Sequence, residues 1–289
     1  MRGVTPTPKS LILDLLSTLS RGAVPVRGLV AAGRLFAIPE NRLRVALARL
    51  LAAGAVERDE HSHYRLADGA GGVSDQIRAW RSVAERRRPW SGAWIAVHGR
   101  TGDRARGRGP RALRFLGFRR FESGDALQGL LLRPDNLAGG VEEARRRLAL
   151  LGLAATARVF QIRELDAASD RRARGLWDAR ALRASYRASI AALEASAARL
   201  PRLAREAAMA ESFRVGGAAI GQIVLDPLLP EPLQGAGELD ALIAATRRYD
   251  RLGRHVWKGW ISSGAPDELP AGVLGQSQAV EAARAAGGL

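Results

Sequence analysis

Asn41, Arg42, Arg44 and Arg49 stand close together in the stretch PENRLRVALARLLAAG, residues 39–54, whose other positions are largely leucine and alanine. Guanidinium and carboxamide groups suit one kind of chemistry. Arginine pairs with the O6 and N7 edge of guanine and asparagine with adenine, and both bond phosphate oxygens. At helical spacing Leu43, Leu47, Leu50 and Leu51 fall on one buried stripe, which turns Asn41, Arg42, Arg44, Ala48 and Arg49 outward. Pro39 suits a first helical turn, Glu40 the positive end of the dipole, and Gly54 the left-handed residue that ends a helix. The stretch therefore predicts a helix with a basic, low-bulk outer face. By itself that face reads more readily as solvated arginines than as a DNA contact.

The flanking elements reverse that balance. Thr7 and Pro8 cap a helix with the apolar stripe Leu11, Ile12, Leu15, Leu16 and Leu19, and residues 26–36 form a second, shorter helix. After the basic helix, residues 55–58 and 63–66 read as strands around a polar tip. Helix, helix, helix, hairpin is the winged helix-turn-helix order, in which the third helix enters a major groove and the hairpin touches the flanking backbone. Arg58 and Arg65 are placed to reach that backbone, but Asp59 and Glu60 at the tip face phosphate poorly, so the wing contact should be weak.

Composition narrows the functional classes. The 289 residues carry 45 Lys and Arg against 29 Asp and Glu, a net charge of +16, so the chain seeks polyanions. Residues 69–164 are the most basic part, with nineteen cationic and nine acidic residues. With no cysteine and four histidines, disulfides, thiolate metal sites and a zinc centre are not expected. No run of eighteen apolar residues and no apolar leader is present, which predicts a cytoplasmic, nucleoid-associated protein. No nucleophile elbow, P-loop or dinucleotide-binding glycine motif occurs, and no cofactor, metal or enzymatic activity is expected.

Beyond residue 68 the expected order is a glycine-rich break, a connecting helix over 75–88, strand 93–98, helix 110–116, strands 119–122 and 127–133, helix 141–151 and strand 156–162. This βαββαβ order is the ferredoxin-like plan. The glycine- and arginine-rich stretch 99–111 feeds a helix N-terminus, where backbone N–H groups favour phosphate; alone it reads more readily as a solvated loop. The last third is helical. Leu176, Trp177, Leu182, Tyr186, Ile190 and Leu193 give an apolar stripe, Pro201 breaks it, a further helix runs through Ile223, and three prolines in residues 226–232 separate that helix from a last one over 238–260.

Several segments resemble one known family. LRVALARLLAAGAVER with HYRLADG, then SGAWIAVHG, RALRFLGFRRFESGDALQGLLLRPDNL, LWDARALRASYRASI and VLDPLLPEPL are similar, in order, to the PaaX family of bacterial transcriptional repressors. The resemblance implies a middle domain similar to the Cas2 nuclease core, homodimers on palindromic operators, and release from DNA by acyl-coenzyme A thioesters. Cas2-like hydrolysis needs a carboxylate at the end of the first strand of that domain. This chain has His98-Gly99-Arg100 there, so the domain reads as non-catalytic. Its 99–111 loop also departs from the family pattern, which argues against assuming phenylacetyl-coenzyme A itself.

The expectation is an α+β, mostly helical fold in four parts. These are a winged helix-turn-helix domain (1–68), a linker and connecting helix (69–89), a ferredoxin-like, Cas2-like domain (90–164) and a helical domain (165–289). The expected function is sequence-specific binding of double-stranded DNA as a repressor. Asn41, Arg42, Arg44, Arg49, Arg58 and Arg65 form the DNA surface, and an anionic effector such as an acyl-coenzyme A binds where the middle and helical domains meet, near Arg106, Arg108, Arg111 and Arg114. The alternatives are a nucleic-acid-processing protein with a degenerate Cas2-like core and a basic architectural protein.

Overall fold

The computed structural model describes residues 6–18, 23–60, 63–67, 79–99, 113–114, 116–121, 129–150 and 157–257. The fold is mixed α and β, with long helices and small antiparallel sheets. Its contacts divide the chain into two units that are each discontinuous in sequence: Met1–Arg81, Ala188–Val224 and Ala241–Ala282 form one, and Ser82–Arg187, Leu225–Asp240 and Ala283–Leu289 the other. The helical C-terminal third, expected as one domain, is thus shared between the two.

In the first unit α1 (Pro8–Thr18), α2 (Val26–Leu35) and α3 (Glu40–Ala52) pack on one another. Leu11, Ile12, Leu15, Leu16, Leu29, Leu43, Leu47 and Leu50 are buried. Thr7 starts α1, its hydroxyl accepting from the backbone N–H of Ser10 at 3.2 Å. α3 ends as its sequence predicts. Gly54 has φ +64°, its N–H reaches the carbonyl of Leu51, and the N–H of Ala55 reaches Leu50, each at 3.0 Å, so two end carbonyls are satisfied by a left-handed glycine. The hairpin strands β2 (Val56–Arg58) and β3 (His63–Leu66) are joined by a further strand, β1 (Val24–Pro25), which pairs Val24 with Tyr64 and Pro25 with His63. Two residues are too few to show a strand's alternation, so β1 is silent in the sequence.

The rest of this unit comes from far along the chain. α6 (Ala179–Arg199) contributes its second half, α7 (Arg205–Val224) contributes all of itself, and α8 (Ala236–Trp257) contributes from residue 241 onward. α2 packs against α7. Phe36 meets the ring of Phe213 at 4.9 Å, Phe213 meets Trp257 at 6.3 Å, and Arg214 lies over Phe36 at 5.7 Å. Buried Ser196 joins Tyr249 at 2.7 Å and donates to Glu211 at 2.9 Å, so these three polar groups satisfy one another.

The second unit is built on an antiparallel sheet of β4 (Trp94–His98), β5 (Arg119–Arg120), β6 (Leu131–Pro134) and β7 (Arg158–Ile162), in the spatial order β5-β6-β4-β7. Trp94, Ala96 and Leu132 face a core completed by Phe121, Leu130, Ala173, Trp177 and Leu229. Ile95 and Val97 point to the other face and are equally buried. That face takes α4 (Gly140–Leu150), which packs along β7. Both faces being covered accounts for the unbroken apolar run of β4.

Three readings need correction. Of the connecting helix expected over 75–88, residues 75–78 lie outside the described residues, and the described helix is a 3₁₀ helix that ends at Arg86. Leu176 and Trp177 are not on the long helical stripe. α5 (Ala167–Arg174), capped by Asp166, ends at Gly175, and α6 begins afresh behind Asp178, whose carboxylate accepts from Ala181 N–H at 2.8 Å; Trp177 sits in the turn and stacks on Trp94 at 6.1 Å. Leu51 is 39% exposed, because it lies some 70–80° around the helix from the centre of the Leu43, Leu47 and Leu50 stripe.

Candidate nucleic-acid interface

The DNA-facing candidates stand on α3 and the hairpin. Packing of Leu43 (1% exposed) and its stripe fixes the rotation of α3, and Asn41, Arg42, Arg44, Val45, Ala48 and Arg49 are all exposed on its far side. α3 also lies close on α2. A Cβ on Gly33 would come within 2.8 Å of Leu43 Cδ1, so only glycine fits there without repacking. The turn between the two helices passes through Ala37 at φ +53°, a left-handed conformation costly for a residue with a Cβ.

The arginines of this face are not equivalent. Arg44 is held by Glu40 through Nε at 2.8 Å and Nη2 at 2.7 Å, and Arg34, from the end of α2, approaches the same carboxylate at 3.9 Å. Arg42 and Arg49 have no ion-pair partner among the described residues, so their guanidinium groups are available at once to a polyanion. Asn41 accepts the N–H of Arg42 through its side-chain oxygen at 2.7 Å, which leaves its amide as the group free to donate. Val45, half exposed in the middle of the face, was not foreseen. It offers an apolar contact of the kind a thymine methyl accepts.

On the hairpin Arg65 is bound by Glu57 through Nε at 3.0 Å and Nη2 at 2.7 Å, a cross-strand pair in register with β2. Asp59 closes the start of the tip, accepting from His63 N–H at 2.8 Å, and Arg58 is exposed. A groove of about 470 Å³ opens between Arg34 and Leu35 of α2 and Leu203, Glu206, Ala207, Ala210, Glu211 and Arg214. Glu211 is occupied by Arg199 and Ser196, so the groove's other charges are Arg34, Arg214 and Glu206.

Of the residues expected to meet an effector, Arg106, Arg108 and Arg111 lie outside the described residues. Arg114 is exposed, and its carbonyl accepts from Arg119 Nη1 at 3.2 Å. What the sequence did not reveal is a buried arginine in the second unit, with two partly buried ones near it. Arg133 is 7% exposed, and burial with Arg86 and Arg147 nearby lowers its pKa to about 10. Among the described residues no cluster of His, Cys, Asp or Glu suits a metal ion, and no helix is long and apolar enough to cross a membrane.

Residues 7–70 match the family model described as PaaX-like protein, the family that the sequence resembles. No curated protein matches the chain. Among solved structures, the uncharacterized protein Rv0674 from Mycobacterium tuberculosis is similar with a TM-score of 0.59 at 24% identity, over 86% of this chain and 97% of that one, which shows a shared fold.

Proposed function

We propose that the protein is a sequence-specific, DNA-binding transcriptional repressor. The PaaX-like match over residues 7–70 is to a regulator family, and the match coincides with the three helices and hairpin that carry the exposed arginines. The observation that carries the reading is the pair Arg42 and Arg49, unpaired among the described residues and exposed on a helix whose other side is locked by leucines. In this reading residues 1–68 act as a winged helix-turn-helix. α3 enters the major groove with Asn41, Arg42, Arg44 and Arg49, while Arg58 and Arg65 meet phosphates. The strand order β5-β6-β4-β7 supports a ferredoxin-like, Cas2-like assignment for residues 90–164, with 69–89 as connector and 165–289 as the helical remainder.

A homodimer reading two half-sites of a palindromic operator fits such a domain, since two-fold protein symmetry calls for two-fold DNA symmetry. Release by an anionic effector, with an acyl-coenzyme A as the model compound and Arg106, Arg108, Arg111 and Arg114 as its first candidates, completes the proposal. Footprinting on DNA upstream of the protein's own gene, with affinity measured on the protected site and on random DNA at fixed salt, is the test. A protected site preferred by about a thousandfold or more is expected. Equal affinity for all sequences with steep salt dependence makes the protein architectural, and metal-dependent cleavage makes it a nuclease.

A further inference from the structure

In the second unit one buried arginine, Arg133, has two partly buried arginines near it. Arg133 lies on β6 beside Leu132, whose side chain faces the tryptophan core, so Arg133 points to the opposite face, toward α4. There its guanidinium bonds two carbonyls, Leu116 through Nη1 at 3.0 Å and Pro134 through Nε at 3.3 Å, and stands 5.8 Å from the Phe118 ring. Its Nη2 is buried with no acceptor. A buried donor without a partner is costly, the more so when it is charged.

Around it stand Arg86, at the end of the 3₁₀ helix, and Arg147, on α4, both close enough to disfavour the charge of Arg133. Arg86 is itself pushed down to about 10 by burial and by Arg147. Two acids lie nearby, and one of them is paired within the cluster. Glu143 receives Arg147 Nε at 2.5 Å and Arg146 Nε at 2.9 Å, and Asp135 receives Gln161 Nε2 at 2.6 Å. Three guanidinium groups, one carboxylate that Arg147 shares with Arg146, a second held by Gln161 and one empty donor leave the cluster short of a negative charge.

We propose that Arg86, Arg133 and Arg147 receive a small oxyanion, such as a phosphate group, one of whose oxygens accepts from Arg133 Nη2. Guanidinium groups bind phosphate through paired, charge-assisted hydrogen bonds, and an oxyanion supplies both the missing acceptor and the missing negative charge. The site is independent of the repressor reading, because it concerns the second unit and would exist whether or not α3 binds DNA.

The test uses the full chain and inorganic phosphate, with sodium chloride at matched ionic strength as control. Phosphate at about a hundredfold excess over its Kd should raise the thermal transition reported by tryptophan fluorescence by about 4–8 °C, and calorimetry should give a saturable isotherm. Arg86→Gln and Arg147→Gln should each weaken phosphate binding at least tenfold, whereas Arg42→Gln with Arg49→Gln on α3 should leave it unchanged. Arg133→Met, which replaces the buried ion with an apolar chain of similar length, should fold and lose phosphate binding. Phosphate acting no differently from chloride overturns the proposal. So does undiminished binding in Arg133→Met, or loss of binding only in the α3 variant. Methyl phosphate separates the sources. Affinity equal to phosphate marks the site as the seat of a phosphate on a larger molecule, and lost affinity marks it as a site for the free ion.

Discussion

The arginines exposed on α3 and the buried Arg133 of β6 are the same side chain put to opposite uses. Arg42 and Arg49 lie in water with no ion-pair partner among the described residues, so they lose little on meeting a polyanion and contribute little to stability until they do. Arg133 has already lost its water and is tied to two carbonyls, and it lowers the cost of burial only through what surrounds it. Net charge alone does not separate the two. The residue range with the greatest cationic excess, 69–164, includes arginines that are buried or half buried, whereas the free pair sits in residues 1–68, whose excess is only four.

The largest effect should come from the exposed side. Arg42→Ala with Arg49→Ala should weaken binding to the cognate site about 10²–10⁴-fold by fluorescence anisotropy, with the unfolding midpoint changed by less than about 0.5 kcal/mol. Unchanged affinity would remove α3 from the interface and end the contrast. On the buried side the sign reverses. Glu143→Gln should cost about 1–3 kcal/mol in urea unfolding of the full chain, because Arg146 and Arg147 lose their common carboxylate next to Arg86 and Arg133. An unaltered midpoint would show that the arginine cluster needs no internal counter-charge.

Titration sharpens the difference within the second unit. Asp226 is buried, accepts from Tyr186 and from Leu228 N–H, and burial raises its pKa to about 6. A raised folded-state value means that its contribution to stability is full below the ordinary carboxylate value near 3.8 and is lost as pH rises toward about 6. Burial also opposes the charge of Glu143, but its bonds to Arg147 and Arg146 outweigh that and lower its pKa. Its contribution is present above about 4.5 and is lost as pH falls. Asp226→Asn should therefore flatten the decline between pH 4 and 6 and leave the acid limb in place. If the decline survives that change, another group causes it.

Two smaller effects test the geometry of α3. Arg44→Ala should weaken DNA binding less than Arg42→Ala or Arg49→Ala, by roughly threefold to tenfold, since Glu40 already holds Arg44. Glu40→Gln should then strengthen binding, and weaker binding would mean that Glu40 positions Arg44 rather than occupying it. Ala37→Gly, relieving a left-handed alanine on the surface, should stabilise the fold by about 0.5–1 kcal/mol. A destabilised variant would show that the turn draws more from the alanine methyl than it loses to strain.

Patterns that repeat within one element were legible without coordinates. The leucine stripe of α3, the Thr7 cap of α1, the Gly54 stop, the hairpin and the strand that became β4 each depend on residues a few positions apart, and local backbone geometry turns that spacing directly into a face. What depended on distant residues was not. The two-residue strand β1 exists only because β3 offers it a partner, and Trp177 leaves its expected stripe because Trp94 supplies a surface to stack on. Whether an arginine is free or buried was equally hidden, because Arg42 and Arg133 differ in their surroundings and not in their own chemistry. The division of α6 and α8 between two units has the same origin. An apolar stripe announces that a helix face must be buried, and tertiary packing alone chooses what buries it.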